Sequence, residues 1–405
     1  MIQKGDNTET GHYKKEAAVL WSDTISNKAS DFMADKELEA DINRFMGKWD
    51  IKGMSIAVSR NDSLLFAKGF GFADREKGVP MEANSIMRIA SVSKLITATA
   101  IMKLVETGKL NLKSRVLGAQ GILNDRGFTE AIRDERIKDI TVEDLLLHKG
   151  GFTLGAGDPM FNTAEIIKAK HLDRAPTNDD LIKIVMGRRL GFHPGAGRRY
   201  SNFGYMLLSR VIEKVSGMSY WEYVQQNILH PIGCYGFRPA TNYYDQRHPR
   251  EVKYYSPDSE LVDEFNGSGK MVDRCYGGAN INGLMGAGGW VASAADLNRF
   301  VASIDGTGVR KDILRTSSID LMTTFDKGEK MCFGWTETDG KGKMSRSGTL
   351  SSAHALVVKF ADNECWVITM NSGVWTGFHF TRELERLIDR LRLKYSDKFP
   401  ARNLF

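Results

Sequence analysis

Ser91, Val92, Ser93 and Lys94 stand in the order S-x-x-K, directly before the stretch LITATAIMKLV. On a helix, residues three apart share a face, so the Ser91 hydroxyl and the Lys94 amine come within reach of each other. A serine hydroxyl attacks an acyl carbon only when a neighbour takes its proton, and a lysine desolvated beside other cations has its pKa lowered enough to help. The start of a helix adds free N–H groups where an oxyanion would form. A second group, Tyr200-Ser201-Asn202, follows His193-Pro194-Gly195 and precedes a helical stretch beginning at Phe203. Its phenol can take or relay the serine proton, and its amide can bond a substrate carbonyl and Lys94 together. As a purely local feature, Ser201 or Asn202 would cap the helix. The third group is Arg346-Ser347-Gly348-Thr349, placed before a strand-like run from Ala353 to Phe360. Glycine there lets a substrate approach an edge strand whose N–H completes an oxyanion hole, and the cation would bind a substrate carboxylate.

These groups need elements to hold them. Leu38, Ile42, Phe45 and Met46 recur at helical spacing, with Gly47 placed to end the helix. Gly53 to Arg60 and Ser63 to Phe72 read as two strands around an Asn61-Asp62 turn. A long helix is expected from about Ser91 to Glu106, stopping at Gly108. Further helices are expected over 141–148, 178–187, 203–216, 219–229 and 294–303, the last with Ser293 and Asp296 spaced as an N-cap and a first-turn acid. Residues 267–289 hold eight glycines and read as a long loop. Ala353 to Phe360 and Glu364 to Met370 alternate around Asp362-Asn363, and 381–393 form a closing amphipathic helix.

Strands at both ends with helices between them predict an α+β fold: an antiparallel sheet built from both chain ends and flanked by helices, with an inserted mainly helical lobe. The expected division is a polar N-terminal extension over 1–30, a discontinuous sheet-and-helix domain over 31–112 and 325–398, and the helical lobe over 113–324. A cleft between two such lobes is where a small molecule would bind.

Composition narrows the functions further. The 405 residues are 42% hydrophobic and 26% charged, enough to bury a large core. Nine prolines, and forty glycines without a three-residue period, exclude disorder and collagen-like sequence. The net charge of +6 is spread along the chain without a basic block, so nucleic acid is not an expected partner. Cys234, Cys275, Cys332 and Cys365 form no C-x-x-C pair, which suggests neither a zinc ribbon nor a disulfide scaffold. No histidine sits in H-E-x-x-H, and the glycines of 267–289 spell no phosphate-binding loop. Neither metal nor cofactor is expected. The opening MIQKGDNTETGHYKK lacks the apolar stretch of a secretory signal, and no run approaches the roughly 18 apolar residues of a membrane span.

S-x-x-K, then Y-x-N, then cation-Ser-Gly before a C-terminal strand resembles the serine β-lactamase and penicillin-binding protein superfamily. The similar branch has Tyr in the second motif and includes class C β-lactamases, D-alanyl-D-alanine carboxypeptidases, D-aminopeptidases and related esterases. MRIASVSKLITATAIMKLVETGKLNL, DITVEDLLLHKGGF, PGAGRRYSNFGYMLLSRVIEKVSG, HPIG and GAGGWVASAADLNRF also look like family segments in family order, over roughly residues 35 to 395. The resemblance implies Ser91 as nucleophile, Lys94 as its proton partner and Tyr200 as general base or relay. Asn202 would orient substrate and Lys94, and the N–H groups of Ser91 and Thr349 would form the oxyanion hole. Arg346 departs from the pattern, since Lys is usual there in β-lactamases and His is frequent in peptidases and esterases. Thr349-Leu350-Ser351-Ser352 also replaces a Gly-rich turn. His148 matches a family position and reads as a structural hydrogen-bonding residue at a helix end. The implied activity is hydrolysis through a covalent acyl-enzyme, β-lactamase-like in the first place, with a D-amino-acid peptide or small ester as the alternative donor. The alternative from another class is a penicillin-binding sensor or cell-wall-fragment binder with little turnover. The same resemblance implies a place in the periplasm or cell envelope.

Overall fold

The computed structural model describes residues 21–405, apart from 154, 156, 259–260 and 326–330. Seven strands make the main sheet: β1 (Gly53–Arg60), β2 (Ser63–Asp74), β3 (Val79–Pro80), β4 (Glu337–Thr338), β5 (Met344–Leu350), β6 (Ala353–Lys359) and β7 (Glu364–Met370). Their order is β3-β2-β1-β7-β6-β5-β4, with every neighbour antiparallel. The first and last long strands therefore meet at the sheet's centre, with Ile56 opposite Ile368 and Val58 opposite Trp366. Asn61 and Asp62 both take positive φ, 47° and 59°, as a two-residue hairpin of matching twist needs.

The seven helices that matter here are α1 (Asp35–Trp49), α2 (Ser93–Glu106), α3 (Val142–Leu146), α4 (Asn178–Met186), α5 (Asn202–Ser216), α6 (Ala294–Val301) and α7 (Thr381–Tyr395). Side chains alternate across a strand, so each strand serves two cores. Ile56, Val58, Leu356, Trp366 and Ile368 join Leu38 and Ile42 of α1 and Leu387 and Ile388 of α7 on one face. Ala57, Val357 and Val367 join α2, α5 and α6 on the other. Helix α2 lies inside this second layer, with Leu95, Ile96, Ala98, Ile101 and Met102 all buried, which is why its sequence is apolar around its circumference. Thr141 and Thr177 close capping boxes at the starts of α3 and α4.

Three expectations need correction. The 219–229 helix is α-helical only over Tyr220–Val224 and continues as a π-helical turn over Gln225–Leu229. Residues 267–289 are not one loop: Met271–Asp273 pairs with Leu261–Asp263, and Asn282–Ala287 coils into 3-10 turns. Arg346, Ser347 and Gly348 lie within a strand, β5, rather than ahead of one. Of the expected N-terminal extension, the described part is fastened to the sheet. Ser30 Oγ both donates to the Ala67 carbonyl and accepts from its N–H at 2.7 Å, while Asn27 accepts from Gly69 N at 2.8 Å. Residues 1–20 lie outside the described residues. No helix among the described residues is long and apolar enough to cross a membrane.

Candidate active site

Ser91 sits in a 3-10 turn, Ala90–Val92, that runs directly into α2. Ala90 holds φ at 47°, a left-handed conformation that costs an alanine about 1–2 kcal/mol. Non-glycine strain of this kind persists where surrounding packing over-determines it. Here the packing is β5: a Cβ on Gly348 would lie 2.4 Å from the Ile89 carbonyl oxygen and 2.7 Å from Ser91 N. Strand β4 pairs with β5 only at Met344 and Ser345, so the edge from Arg346 onward lies open beside the Ser91 turn.

Ser91 is half-buried, and its hydroxyl accepts hydrogen bonds from Lys94 Nζ at 3.0 Å and from Tyr200 OH at 2.7 Å. Lys94 is fully buried and also donates to Asn202 Oδ1 at 2.8 Å and to the Ala287 carbonyl at 2.5 Å. The glycine-rich segment thus delivers a backbone acceptor to the lysine. Its close fit needs Gly286, where a Cβ would meet Thr97 Oγ1 at 2.4 Å and Ser209 Oγ at 2.5 Å. Ser201 caps α5 by accepting from Gly204 N at 2.9 Å. The capping turn and the juxtaposition of Tyr200 and Asn202 with Lys94 are one piece of backbone.

Arg346 is placed differently from expectation. It is 1% exposed, and it turns inward: Nε donates to the Ser91 carbonyl at 2.8 Å and Nη2 to Tyr200 OH at 3.1 Å. A guanidinium so occupied is a cation behind the phenol rather than one open to a substrate carboxylate. Thr349 and Leu350 line a neighbouring cavity of about 680 Å³, with Phe161, Ile281, Val374 and exposed Trp375 on its walls.

Burial and charge set the proton chemistry. Desolvation lowers Lys94 to about 8, with nearby Arg346 adding to the fall and Tyr200 and Asp158 opposing it. Burial of the Tyr200 hydroxyl would raise it, but Lys94 and Arg346 beside it outweigh that and bring it down to about 8. His148 is held well below its ordinary range by burial and then by Lys94, Arg346 and Arg198, so its ring is neutral. It accepts from Ser201 N through Nδ1 at 3.1 Å and stacks on Tyr200 at 4.5 Å between ring centroids. Sequence reasoning missed Asp158, whose Oδ2 accepts from Asn202 Nδ2 at 2.7 Å. Nothing in GAGDPM marks it, because its partner is 44 residues away. Among the described residues no cluster of His, Cys, Asp or Glu is gathered as a metal would require, and the four cysteines are buried and form no disulfide.

The family model described as Beta-lactamase matches residues 38–379, which takes in every group just described. The chain belongs to the beta-lactamase family. Among curated relatives in this family, it is 26% identical to Penicillin-binding protein 4* of Bacillus subtilis (strain 168), over 80% of this chain and 69% of that protein. It is 29% identical to Protein flp of Staphylococcus aureus (strain MW2), over 49% of this chain but only 36% of flp, so it spans little more than a third of that relative. The fold is shared with the D-amino acid amidase of Ochrobactrum anthropi SV3, solved with L-phenylalanine amide. The TM-score is 0.68 at 19% identity, covering 89% of this chain and 99% of the amidase. The family is one of serine hydrolases, and the α+β architecture with its antiparallel sheet is the family's own.

Proposed function

We propose that this chain cleaves amide or ester acyl donors, β-lactams first among them, through an acyl-enzyme on Ser91. One observation carries the reading: the Ser91 oxygen is bonded at once by Tyr200 OH and Lys94 Nζ, both drawn to about 8. Tyr200, as phenolate, takes the Ser91 proton while Oγ bonds to the acyl carbon. Negative charge moves to the acyl oxygen, where the N–H of Ser91 and of Thr349 at the open β5 edge would receive it. Collapse breaks the bond to the leaving nitrogen or oxygen, which takes the proton from Tyr200. Water then attacks the ester by the reverse relay, its proton passing to Tyr200 and back to Ser91. Lys94 and Arg346 keep the phenolate anionic, and Asn202 holds Lys94 in line.

The name of the Bacillus subtilis relative supports penicillin as the first probe, and the shared fold of the Ochrobactrum anthropi amidase supports amides. The same kinship favours a place outside the cytoplasm. Intact-protein mass spectrometry after exposure to a penicillin, and separately to a fluorophosphonate, tests the reading. Wild type should gain the acyl or phosphonyl mass, and Ser91→Ala should gain neither. A transient penicillin adduct with released product marks a hydrolase, and a persistent one marks a penicillin sensor. Labelling that survives in Ser91→Ala overturns the assignment.

A further inference from the structure

The primary amide of Asn202 has one accepting end and one donating end. Its accepting end faces Lys94 Nζ at 2.8 Å, which leaves Nδ2 pointing the other way, where the Asp158 carboxylate accepts it at 2.7 Å. Turning the amide over would set NH2 against an ammonium and a carbonyl against a carboxylate, repulsive at both ends. Asp158 is itself fixed: Oδ1 accepts from Met160 N at 3.0 Å, and its carbonyl accepts from Phe161 N at 3.0 Å and Asn162 N at 3.1 Å. Its carboxylate therefore cannot swing away without breaking the turn that carries it.

We propose that Asp158 is a positioning residue of the acylation machinery, holding the Asn202 amide so that Lys94 stays aimed at Ser91, and supplying the negative charge that balances Lys94. The proposal rests on the hydrolase reading for its rate effects, but not for its electrostatic one. The groups facing Lys94 are Ser91 on its own turn, Tyr200 and Asn202 at the start of α5, the ring of Tyr205 one turn further on at 5.5 Å, the Ala287 carbonyl, Arg346 from β5 and neutral His148. Against the cation of Arg346 and the desolvation of the site, Asp158 contributes a carboxylate that favours the charged lysine.

Two variants separate geometry from charge. Asp158→Asn keeps an oxygen for Asn202 and removes the charge, whereas Asp158→Ala removes both. In the 405-residue chain, phosphonylation of Ser91 by a fluorophosphonate should slow about tenfold in Asp158→Asn and about a hundredfold in Asp158→Ala, with KM for a chromogenic donor within about twofold. Asp158→Glu should recover part of the loss. Independently of activity, the Lys94 13Cε titration, assigned by its absence in Lys94→Met, should move to lower pH in Asp158→Asn by about half a unit or more. Thermal midpoints should stay near wild type, since a structural role alone would lower them without moving the titration. If wild type acylates, yet both variants keep its rate within twofold and its Lys94 titration, the proposal is overturned. A titration that moves in a wild-type background that takes no acyl group would overturn the hydrolase reading and leave the Asp158 linkage standing.

Discussion

Arg346 shows how burial can change what a residue type means. A guanidinium stays charged when desolvated, whereas an ammonium readily gives up its proton, so Arg suits a buried post behind a phenol. With Nε on the Ser91 carbonyl and Nη2 on the Tyr200 hydroxyl, it braces the Ser91 turn and the phenol together. Arg346→Gln should raise the Tyr200 pKa from about 8 toward its ordinary value and lower kcat/KM roughly tenfold or more at neutral pH. Carboxylate-bearing and neutral donors should lose alike. A loss confined to carboxylate donors would return Arg346 to substrate recognition. Lys94 and Tyr200 are both brought to about 8 and lie against one oxygen, so they titrate as a pair. Well below that pH both hold protons and no base faces Ser91. Well above it Lys94 has lost the charge that steadies the negative charge developing beside it in the transition state. A plot of kcat/KM against pH should therefore be a bell centred near pH 8, and a flat profile from pH 6 to 10 would remove the pair from the chemistry.

The elements differ in how openly their sequences declare them. Strands β1, β6 and β7 and helices α1 and α7 follow from apolar periodicity, and the cap at Ser293 from its spacing to Asp296. Strand β5 hides, because MSRSGTL turns Arg346 and Gly348 toward the site and so lacks apolar alternation. Ser91, Lys94, Tyr200 and Asn202 were legible because each pair lies on one short turn, S-x-x-K or Y-x-N. Asp158 and the Ala287 carbonyl were not, since only tertiary packing brings them to Asn202 and Lys94. The seam between β5 and the Ser91 turn is a close joint of this kind. Gly348→Ala would drive a methyl into the Ile89 carbonyl and Ser91 N, at a cost of about 1–3 kcal/mol. Acylation should fall at least a hundredfold while the far-ultraviolet circular dichroism stays that of wild type. Wild-type acylation in that variant would mean the strand has room to retreat.

At the scale of the molecule, the sheet has two dissimilar flanks. One is guarded by the segment ahead of α1, which Ser30 ties to Ala67 of β2 by a hydrogen bond in each direction. Ser30 is fully buried, so Ser30→Ala leaves two backbone groups of β2 without partners. Urea denaturation should show a loss of about 1–3 kcal/mol, with the acylation rate within twofold because the site lies on the opposite flank. A wild-type midpoint would mean that water replaces the hydroxyl without penalty.

Ser91 and Arg346 are 255 residues apart in the chain. On a ribosome adding about 5–20 residues per second, the turn that carries Ser91 emerges roughly 10 to 50 seconds before the strand that backs it. For that interval β1 and β2 exist without β7, so the seam destined for the sheet's centre is an unprotected edge. Two things follow from the order of synthesis. The nascent protein does not carry an assembled Ser91 site during that interval. It also depends most on chaperones during the long middle stretch of translation.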